Sequence, residues 1–374
     1  MKLLHTGDLH LDSPFCSLGS ETAEKRREGQ RAILKNIFLT ARNESCDMVL
    51  ISGDLFDAGF VTPETAELFC RLVRDYGLPV VVAPGNHDAY TASSFYAREN
   101  LPENLYVFSS KELTSFKFSK LGAEVFGYAF CSPALNESPL SSAELPEDNG
   151  YLRLLCAHGD FGVPISRYAP ITVSDVDRFG FAYAALGHIH KRSHAVTPGG
   201  TPVVYCGFAE GRSFDEEGEG GAVLVNIEND KASYEWRKLS EKLYVSLELD
   251  VSDISERSEL VQKIKEITTN ERYAKGAHMR LSLVGAIDSA ELYDIESLED
   301  ETRAGLEFLE IRNETIPVPS AEYLQKDTTI RGELYRVLLP MLNSEDREER
   351  KRASRALAIG LSAIDGNSVS GRRG

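Results

Sequence analysis

The stretch from Asp47 to Asp57, which reads DMVLISGDLFD, decides the fold of the first part of the chain. Its apolar run, Met48 to Ile51, predicts a short buried strand that ends at Ser52 and Gly53. Asp54 then follows the carboxyl end of that strand, where open α/β sheets place their ligand sites. Because Gly53 keeps the backbone close, a carboxylate at this position can reach two cations. We therefore predict that Asp54 bridges a two-metal site.

Other predicted strands end in similar residues. Five of the eight histidines lie within four residues of the end of an apolar run, each no more than three residues from a Gly, Asp or Asn. One such histidine is more often a structural residue, but independent core residues would not gather at one edge of a sheet system. The joint pattern therefore predicts a metal centre. The segments are Asp8-x-His10, Gly53-Asp54-x-x-Asp57, Gly85-Asn86-His87-Asp88, His158-Gly159 and Gly187-His188-x-His190.

The composition is that of a globular protein with a real core, since 42% of the 374 residues are hydrophobic and 26% are charged. No run approaches the ~20 apolar residues of a membrane helix, and a signal-peptide pattern is not found, so we expect a cytoplasmic location and no membrane. The six scattered cysteines are typical of reduced thiols.

The net charge of −17 argues against generic nucleic-acid binding. Bound divalent cations would supply positive charge where a phosphate enters.

The order of the predicted elements indicates an α/β fold followed by smaller parts. Strands alternate with helices up to about residue 100. Shorter strands then continue to about Leu239, with a surface loop expected over 134–149 and the last of these strands at 234–238. From Lys242 to about Thr315 the pattern predicts a small α+β unit that begins with a strand at 244–249. Helices are expected from Ser320 to about Asp365, and the last residues read as a tail with nothing to bury it.

In this order, the motifs DLH, GDLFD, GNHD, HG and GHIH resemble those of the calcineurin-like metallophosphoesterases. The opening HTGDLHLDSPF and the GHIHK block are similar to the bacterial SbcD and YhaO branch, the nuclease subunits of double-strand-break repair complexes. The resemblance implies a four-layer α/β/β/α sandwich over residues 1–240 and a capping domain over 241–316. It also implies a helical segment for partner binding or packing over 317–365, before a flexible tail over 366–374.

The resemblance also implies two metal ions that share one carboxylate. Mixed imidazole and carboxylate ligands suit manganese, iron or zinc rather than calcium, and the resemblance favours manganese. Two such cations, ~3.5–4 Å apart, can share a hydroxide that attacks phosphorus in line. The implied ligands of one ion are Asp8, His10, Asp54 and His190, and those of the other are Asp54, Asn86, His158 and His188.

His87 is not needed as a ligand, because Asn86 beside it fills that place. We expect it to protonate the leaving oxygen or to stabilise the transition state as a cation. Such a histidine needs a carboxylate to orient it. Asp57 matches the dyad aspartate of related phosphoesterases, and Asp88 is the alternative. Arg212, in the segment GRSF, is a candidate for contacting the phosphate. The alternative, that it is an exposed arginine on a loop, is equally plausible from the sequence.

A basic cluster lies on the helix predicted from Glu21 to Arg42. It could contact a nucleic-acid backbone, but a solvated helix face is the more common origin of such a pattern. The cluster consists of Lys25, Arg26, Arg27 and Arg31.

Three functions fit these motifs. The first is a metal-dependent DNA exonuclease or endonuclease of DNA repair, with DNA, an SbcC-type coiled-coil ATPase at the C-terminal helices, and a second copy of the chain as partners. The second is a phosphodiesterase for a nucleotide or another small diester, which the acidic charge favours. A protein phosphatase is disfavoured, since Ala58 and Gly59 follow Asp57 where those enzymes carry an arginine. The third is an assembly subunit with weak catalysis.

Overall fold

The computed structural model describes residues 1–16, 19–57, 61–252, 254, 256–273, 276–288 and 294–366. Its contacts divide the chain into two compact units. The first unit contains Met1–Arg212 and Glu219–Glu241, and the second contains Ser213–Gly218 and the chain from Lys242 onward.

The first sheet of the first unit is mainly parallel and is covered on one face by two long helices. Its first four strands along the chain are parallel neighbours, and a later strand pairs antiparallel with the first. The helices bury Ile37 and Phe69 against this sheet. The second helix begins with a side-chain cap from Thr62 and ends at Gly77 in the left-handed conformation. These elements are β1 (Lys2–Thr6), β2 (Met48–Ile51), β3 (Val80–Val82), β4 (Leu105–Val107) and β11 (Gly218–Glu228), with α1 (Ser20–Asn43) and α2 (Pro63–Tyr76).

A second sheet packs face to face on the first. The core between the sheets contains Leu50 of the first sheet and Val125 and Leu154 of the second. The outer face of the second sheet buries Leu140 and Phe179 from two short helices. In spatial order the strands are β5 (Thr114–Phe118), β6 (Ala123–Gly127), β7 (Leu152–His158), β8 (Tyr183–Gly187), β10 (Pro202–Tyr205) and β9 (Ser193–Val196), and the helices are α3 (Pro139–Ser142) and α4 (Val173–Phe179). The predicted α/β sandwich of two sheets between helices is confirmed.

The second unit combines a parallel sheet with two groups of helices. One face of the sheet packs against the first two helices through Leu260, Leu281 and Leu298. The last three helices form a separate core that contains Leu324, Tyr335 and Leu361. The elements are β12 (Lys231–Asp250), which begins in the first unit, β13 (Ala277–Asp288), β14 (Phe308–Val318), α5 (Arg257–Thr268), α6 (Ile295–Thr302), α7 (Ala321–Lys326), α8 (Ile330–Leu342) and α9 (Arg347–Ile364).

Several predicted elements differ from the observed ones. The strands expected at 234–238 and 244–249 are a single strand, β12, because the polar residues between them continue the extended backbone. Helix α4 was not predicted, although Thr172 and Asp175 form a capping box at its start. The expected surface loop 134–149 contains α3, which buries Leu140 completely. The tail was expected over residues 366–374. Beyond Gly366 it lies outside the described residues.

Among the residues that the structure describes, no helix is both long and apolar enough to cross a membrane. The functions expected for 241–316 as a cap and for 317–365 as a partner-binding segment stay predictions.

Candidate metal centre

The loops after β1, β2 and β8 hold several residues in the left-handed backbone region. The φ angles of Asp8, His10, Asp54 and His188 are 49°, 45°, 49° and 101°. Such conformations are costly for residues other than glycine, and they gather where the surrounding structure requires them. The first two loops lie side by side, since the Asp8 amide donates to the Gly53 carbonyl at 3.0 Å and the His10 amide donates to the Asp54 carbonyl at 2.9 Å.

Glycines let the neighbouring loops approach each other closely. A Cβ atom at Gly85 would lie 2.2 Å from Oδ1 of Asp54, and one at Gly187 would lie 2.1 Å from the Ser52 carbonyl oxygen. Because real Cβ atoms do not approach so closely, only glycine fits at these two positions. Both sheets can therefore deliver side chains to the same small volume.

One group of four side chains combines two imidazoles with two buried carboxylates. Nε2 of His10 lies 3.3 Å from Nε2 of His190 and 3.6 Å from Oδ2 of Asp54. Asp8 and Asp54 are each only 1% exposed, and burial raises the pKa of Asp8 to about 6. Ligand atoms of Asp8, His10, Asp54 and His190 lie within 4.8 Å of one another. A divalent cation would neutralise the carboxylates and accept the facing nitrogen lone pairs, so this set fits the implied metal.

The second group meets the first at Asp54. Nδ1 of His158 lies 3.0 Å from the Ser52 carbonyl, which can only accept, so Nδ1 carries the proton and Nε2 carries the lone pair. That nitrogen lies 2.9 Å from Oδ1 of Asn86 and 3.4 Å from Oδ2 of Asp54. Lone pairs facing each other at these distances also fit a bound cation. The ring of His188 stacks edge-on at 5.1 Å from the ring of His158.

The predicted ligands are thus brought together by five loops, and Oδ2 of Asp54 faces both groups. Burial opposes the ionisation of Asp54, but the neighbouring imidazoles of His158 and His10 lower its pKa overall. The structure therefore places Asp54 where a shared ligand would have to lie. Its bridging role and the assignment of each ligand stay predictions.

His87 lies at the edge of this buried cluster with its side chain 45% exposed. Its Nδ1 is 3.0 Å from Oδ1 of Asp57, and this hydrogen bond raises the pKa of His87. The Ser13 hydroxyl donates to the other oxygen of Asp57 at 2.8 Å. Burial raises the pKa of Asp57, but the His10 and His87 imidazoles and the Ser13 hydroxyl lower it well below its usual range. Nε2 of His87 is then the nitrogen that can serve a substrate.

The alternative partner, Asp88, has a different environment. Its carboxylate accepts hydrogen bonds from the amides of Gly85 at 2.7 Å, Leu55 at 2.8 Å and Phe56 at 3.2 Å. The Tyr96 hydroxyl donates to the same carboxylate. Asp88 therefore ties together the loops after β2 and β3, whereas Asp57 orients His87.

The two arginine predictions have different outcomes. Nη1 of Arg212 lies 3.7 Å from Oδ2 of Asp57, so this residue is at the site. Arg26 and Arg31 are buried rather than solvated. Arg26 donates to the Gly211 carbonyl at 2.9 Å, and Arg31 pairs with Glu24 at 2.6 Å. The prediction of a solvated helix face is therefore wrong for Arg26 and Arg31, which make contacts inside the protein.

Sequence reasoning missed three residues that contact the site. Ser13 holds Asp57, the Ser52 carbonyl holds His158, and Asp160 lies 3.5 Å from His188. Only Asp160 had a sequence signal, because it directly follows the His158-Gly159 pair. Serine carries no comparable signal, since most serines cap turns or face solvent.

Comparison with known proteins identifies the class of protein that this fold and this site define. The profile described as calcineurin-like phosphoesterase matches residues 1–192. The chain therefore belongs to the calcineurin-like phosphoesterase family, whose members use a dinuclear metal site. It is a phosphoesterase by family.

Three relatives share most of the chain. The uncharacterized metallophosphoesterase YhaO of Bacillus subtilis is 29% identical in an alignment of 298 positions that covers 76% of this chain and 71% of the relative. A DNA double-strand break repair protein Mre11 from Sulfolobus acidocaldarius is 24% identical and covers 73% of this chain and 72% of its own length. The SbcD chain of the nuclease SbcCD from Staphylococcus epidermidis is 23% identical, with 62% of this chain and 67% of the relative covered. The predicted resemblance to the SbcD and YhaO branch is confirmed.

Proposed function

We propose that the protein is a dinuclear metal-dependent phosphodiesterase that cleaves DNA, as an exonuclease or a single-strand endonuclease of DNA repair. The observation that carries the proposal is the position of His87. A histidine oriented by Asp57 lies half-exposed beside a buried set of carboxylates and imidazoles. This arrangement offers a proton donor directly next to the place where a phosphate would bind.

The metal ligands and His87 would divide the chemistry. When bound, two divalent cations, manganese by family resemblance, would polarise the phosphodiester and activate a water molecule. Asp57 holds Nδ1 of His87, which leaves Nε2 for a substrate, and it raises the pKa of the ring. A protonated His87 can then give its proton to the leaving oxygen. Arg212, 3.7 Å from Asp57, would contact a non-bridging phosphate oxygen.

The relatives support DNA as the substrate. Their descriptions include a DNA double-strand break repair protein and a component of a nuclease. By the same analogy we propose a cytoplasmic protein with a coiled-coil ATPase partner that binds the C-terminal helices. Helix α8 supports a partner there, since the side chains of Ile330, Val337 and Met341 are 67%, 72% and 38% exposed along one face.

A small phosphodiester is the second candidate. The net charge of −17 favours it, as does the internal pairing of Arg26 and Arg31, because neither arginine is presented to a nucleic-acid backbone. A small substrate needs only the metal centre, His87 and Arg212.

The two candidates separate in one assay. We expect the manganese-loaded protein to release nucleotides from end-labelled linear DNA and the His87→Ala variant to lose most of this activity. The same preparations are tested on bis(p-nitrophenyl) phosphate. Hydrolysis of this small diester by the native protein without any cleavage of linear or single-stranded DNA would contradict the DNA proposal and support the second candidate. Absence of both activities, with metals bound, would contradict both.

A further inference from the structure

Asp160 has no role in the chemistry described so far, yet it lies at the metal centre. It follows β7 directly, and Oδ1 of its carboxylate is 3.5 Å from Nε2 of His188. The two side chains are only 15% and 17% exposed. The carboxylate therefore lies next to a ring nitrogen of a predicted ligand.

The Asp160 carboxylate is held in place by its own loop. The Ser166 hydroxyl donates to Oδ2, so each carboxylate oxygen has one neighbour. The Asp160 amide donates to the Tyr168 carbonyl at 2.8 Å, and the Asp160 carbonyl accepts from the Ile171 amide at 2.7 Å. Both backbone groups and both carboxylate oxygens are thus engaged, which leaves the side chain little freedom.

The residues on either side of Asp160 are fixed by a single tyrosine. The Tyr205 hydroxyl donates to the Gly159 carbonyl at 2.8 Å and accepts from the Phe161 amide at 2.7 Å. Gly159 has a φ of 152°, and a Cβ atom there would lie 2.6 Å from the Ala169 carbonyl oxygen. This tight packing makes the loop a rigid support for the carboxylate.

His188 is constrained from its other sides. Its backbone amide donates to both oxygens of Asp8, at 3.0 and 3.2 Å. The Tyr168 ring lies against the His188 ring with 4.5 Å between centroids, and the His158 ring lies 5.1 Å away. These contacts fix the backbone and the ring of His188. They leave open which ring nitrogen carries the proton.

A histidine that binds a metal usually donates its other N–H to a carboxylate, which fixes the tautomer and makes the ring a better ligand. We propose that Asp160 is the positioning residue for His188: it holds the proton on Nε2, so that Nδ1 is the nitrogen presented to the second ion. The inference rests on the dinuclear centre of the proposed function. It adds a residue that the ligand set does not include.

Metal binding by the stripped protein tests this role without any substrate. Native protein, Asp160→Asn and Ser166→Ala are freed of metal with a chelator and titrated with Mn²⁺ in a calorimeter. We expect the native protein to bind two ions per chain. Asp160→Asn should weaken the binding of one ion by about 10–100-fold, because the carboxylate no longer supports His188, and leave the other ion unaffected.

Ser166→Ala keeps the charge of Asp160 but releases Oδ2, so it should weaken the same ion by a smaller factor. Asp148→Asn is the matched control, since it removes one negative charge from the exposed loop before β7, and it should bind both ions like the native protein. Urea unfolding of each metal-free variant shows whether Asp160 serves stability alone. A purely structural role predicts a destabilised metal-free protein and an equal loss for both ions.

The outcomes are distinguishable. Fewer than two ions bound by the native protein would contradict the dinuclear centre itself. Two ions bound natively, with unchanged affinities in Asp160→Asn, would overturn the role of Asp160 and leave the proposed function intact. If Asp160→Asn does not fold, Ser166→Ala decides: selective weakening of one ion supports the inference, and native binding of both ions overturns it.

Discussion

The buried acidic residues around the metal centre of the first unit and an ion-paired acid of the second unit have opposite environments. In the first unit, Asp8, Asp54 and Asp88 are 1%, 1% and 7% exposed, and their neighbours are backbone amides and imidazoles. In the second unit, Glu310 is partly exposed and pairs with Arg280 at 2.7 Å and Arg312 at 2.8 Å. The net charge of −17 thus combines two kinds of carboxylate.

The difference teaches where function lies. An exposed ion pair contributes ~0–1 kcal/mol to stability, so its presence or loss changes little. A buried carboxylate costs several kcal/mol unless an opposite charge or hydrogen bonds compensate it. A buried carboxylate of the first unit such as Asp54 therefore depends on its bound partners, and its substitution should have a far larger effect than that of a partly exposed, ion-paired acid such as Glu310.

Asp54→Asn should have the largest effect. Its carboxylate faces both groups of predicted ligands, so the neutral amide would weaken both ions. We expect loss of metal measured by elemental analysis and a fall in phosphodiesterase activity of about 10³-fold or more. Full metal content with native activity would refute the bridging role.

His87→Ala should have the next largest effect. The ring lies beside the ligands and is not one of them in the proposed assignment, so we expect both metals to stay bound. The rate constant kcat should fall by about 10²–10³-fold, since a proton donor is lost. Metal analysis beside steady-state kinetics checks this, and loss of an ion would show that His87 is a ligand.

Asp57→Asn should act through His87. The Asp57 hydrogen bond raises the pKa of His87, so its protonated form persists to higher pH in the native protein. Removing the negative charge should lower that pKa and move the basic limb of the pH–rate profile to lower pH. We expect about a tenfold loss of kcat at neutral pH. An unchanged basic limb would mean that His87 is not the acid.

Glu310→Gln should have the smallest effect. Its two arginine partners are partly exposed, so the free energy of unfolding should change by less than about 1 kcal/mol. Phosphodiesterase activity and metal content should match those of the native protein. Urea unfolding measures the free energy of unfolding. A loss of more than about 1 kcal/mol would show that Glu310 resembles the buried acids of the first unit.

Local sequence patterns predicted most of the residues that the structure brings together at the site. The apolar run before Asp54 and the histidines after other apolar runs could be recognised because strands and their ends have simple sequence patterns. Contacts between residues that are distant in the sequence could not be predicted in this way. Whether Asp57 or Asp88 pairs with His87 depends on which carboxylate accepts hydrogen bonds from the loop amides. Asp88 accepts them, which leaves Asp57 as the partner of His87.

The sequence by itself determined the α/β class, the metal-type residues at the strand ends and the family to which the chain belongs. Only the tertiary structure decided that Arg26 and Arg31 are buried, that β12 is one strand, and that Asp160 faces His188. The physical reason is the range of the interactions. Hydrophobic periodicity and turn chemistry act over a few neighbouring residues, whereas the environment of a charged side chain is set by loops that only folding brings together.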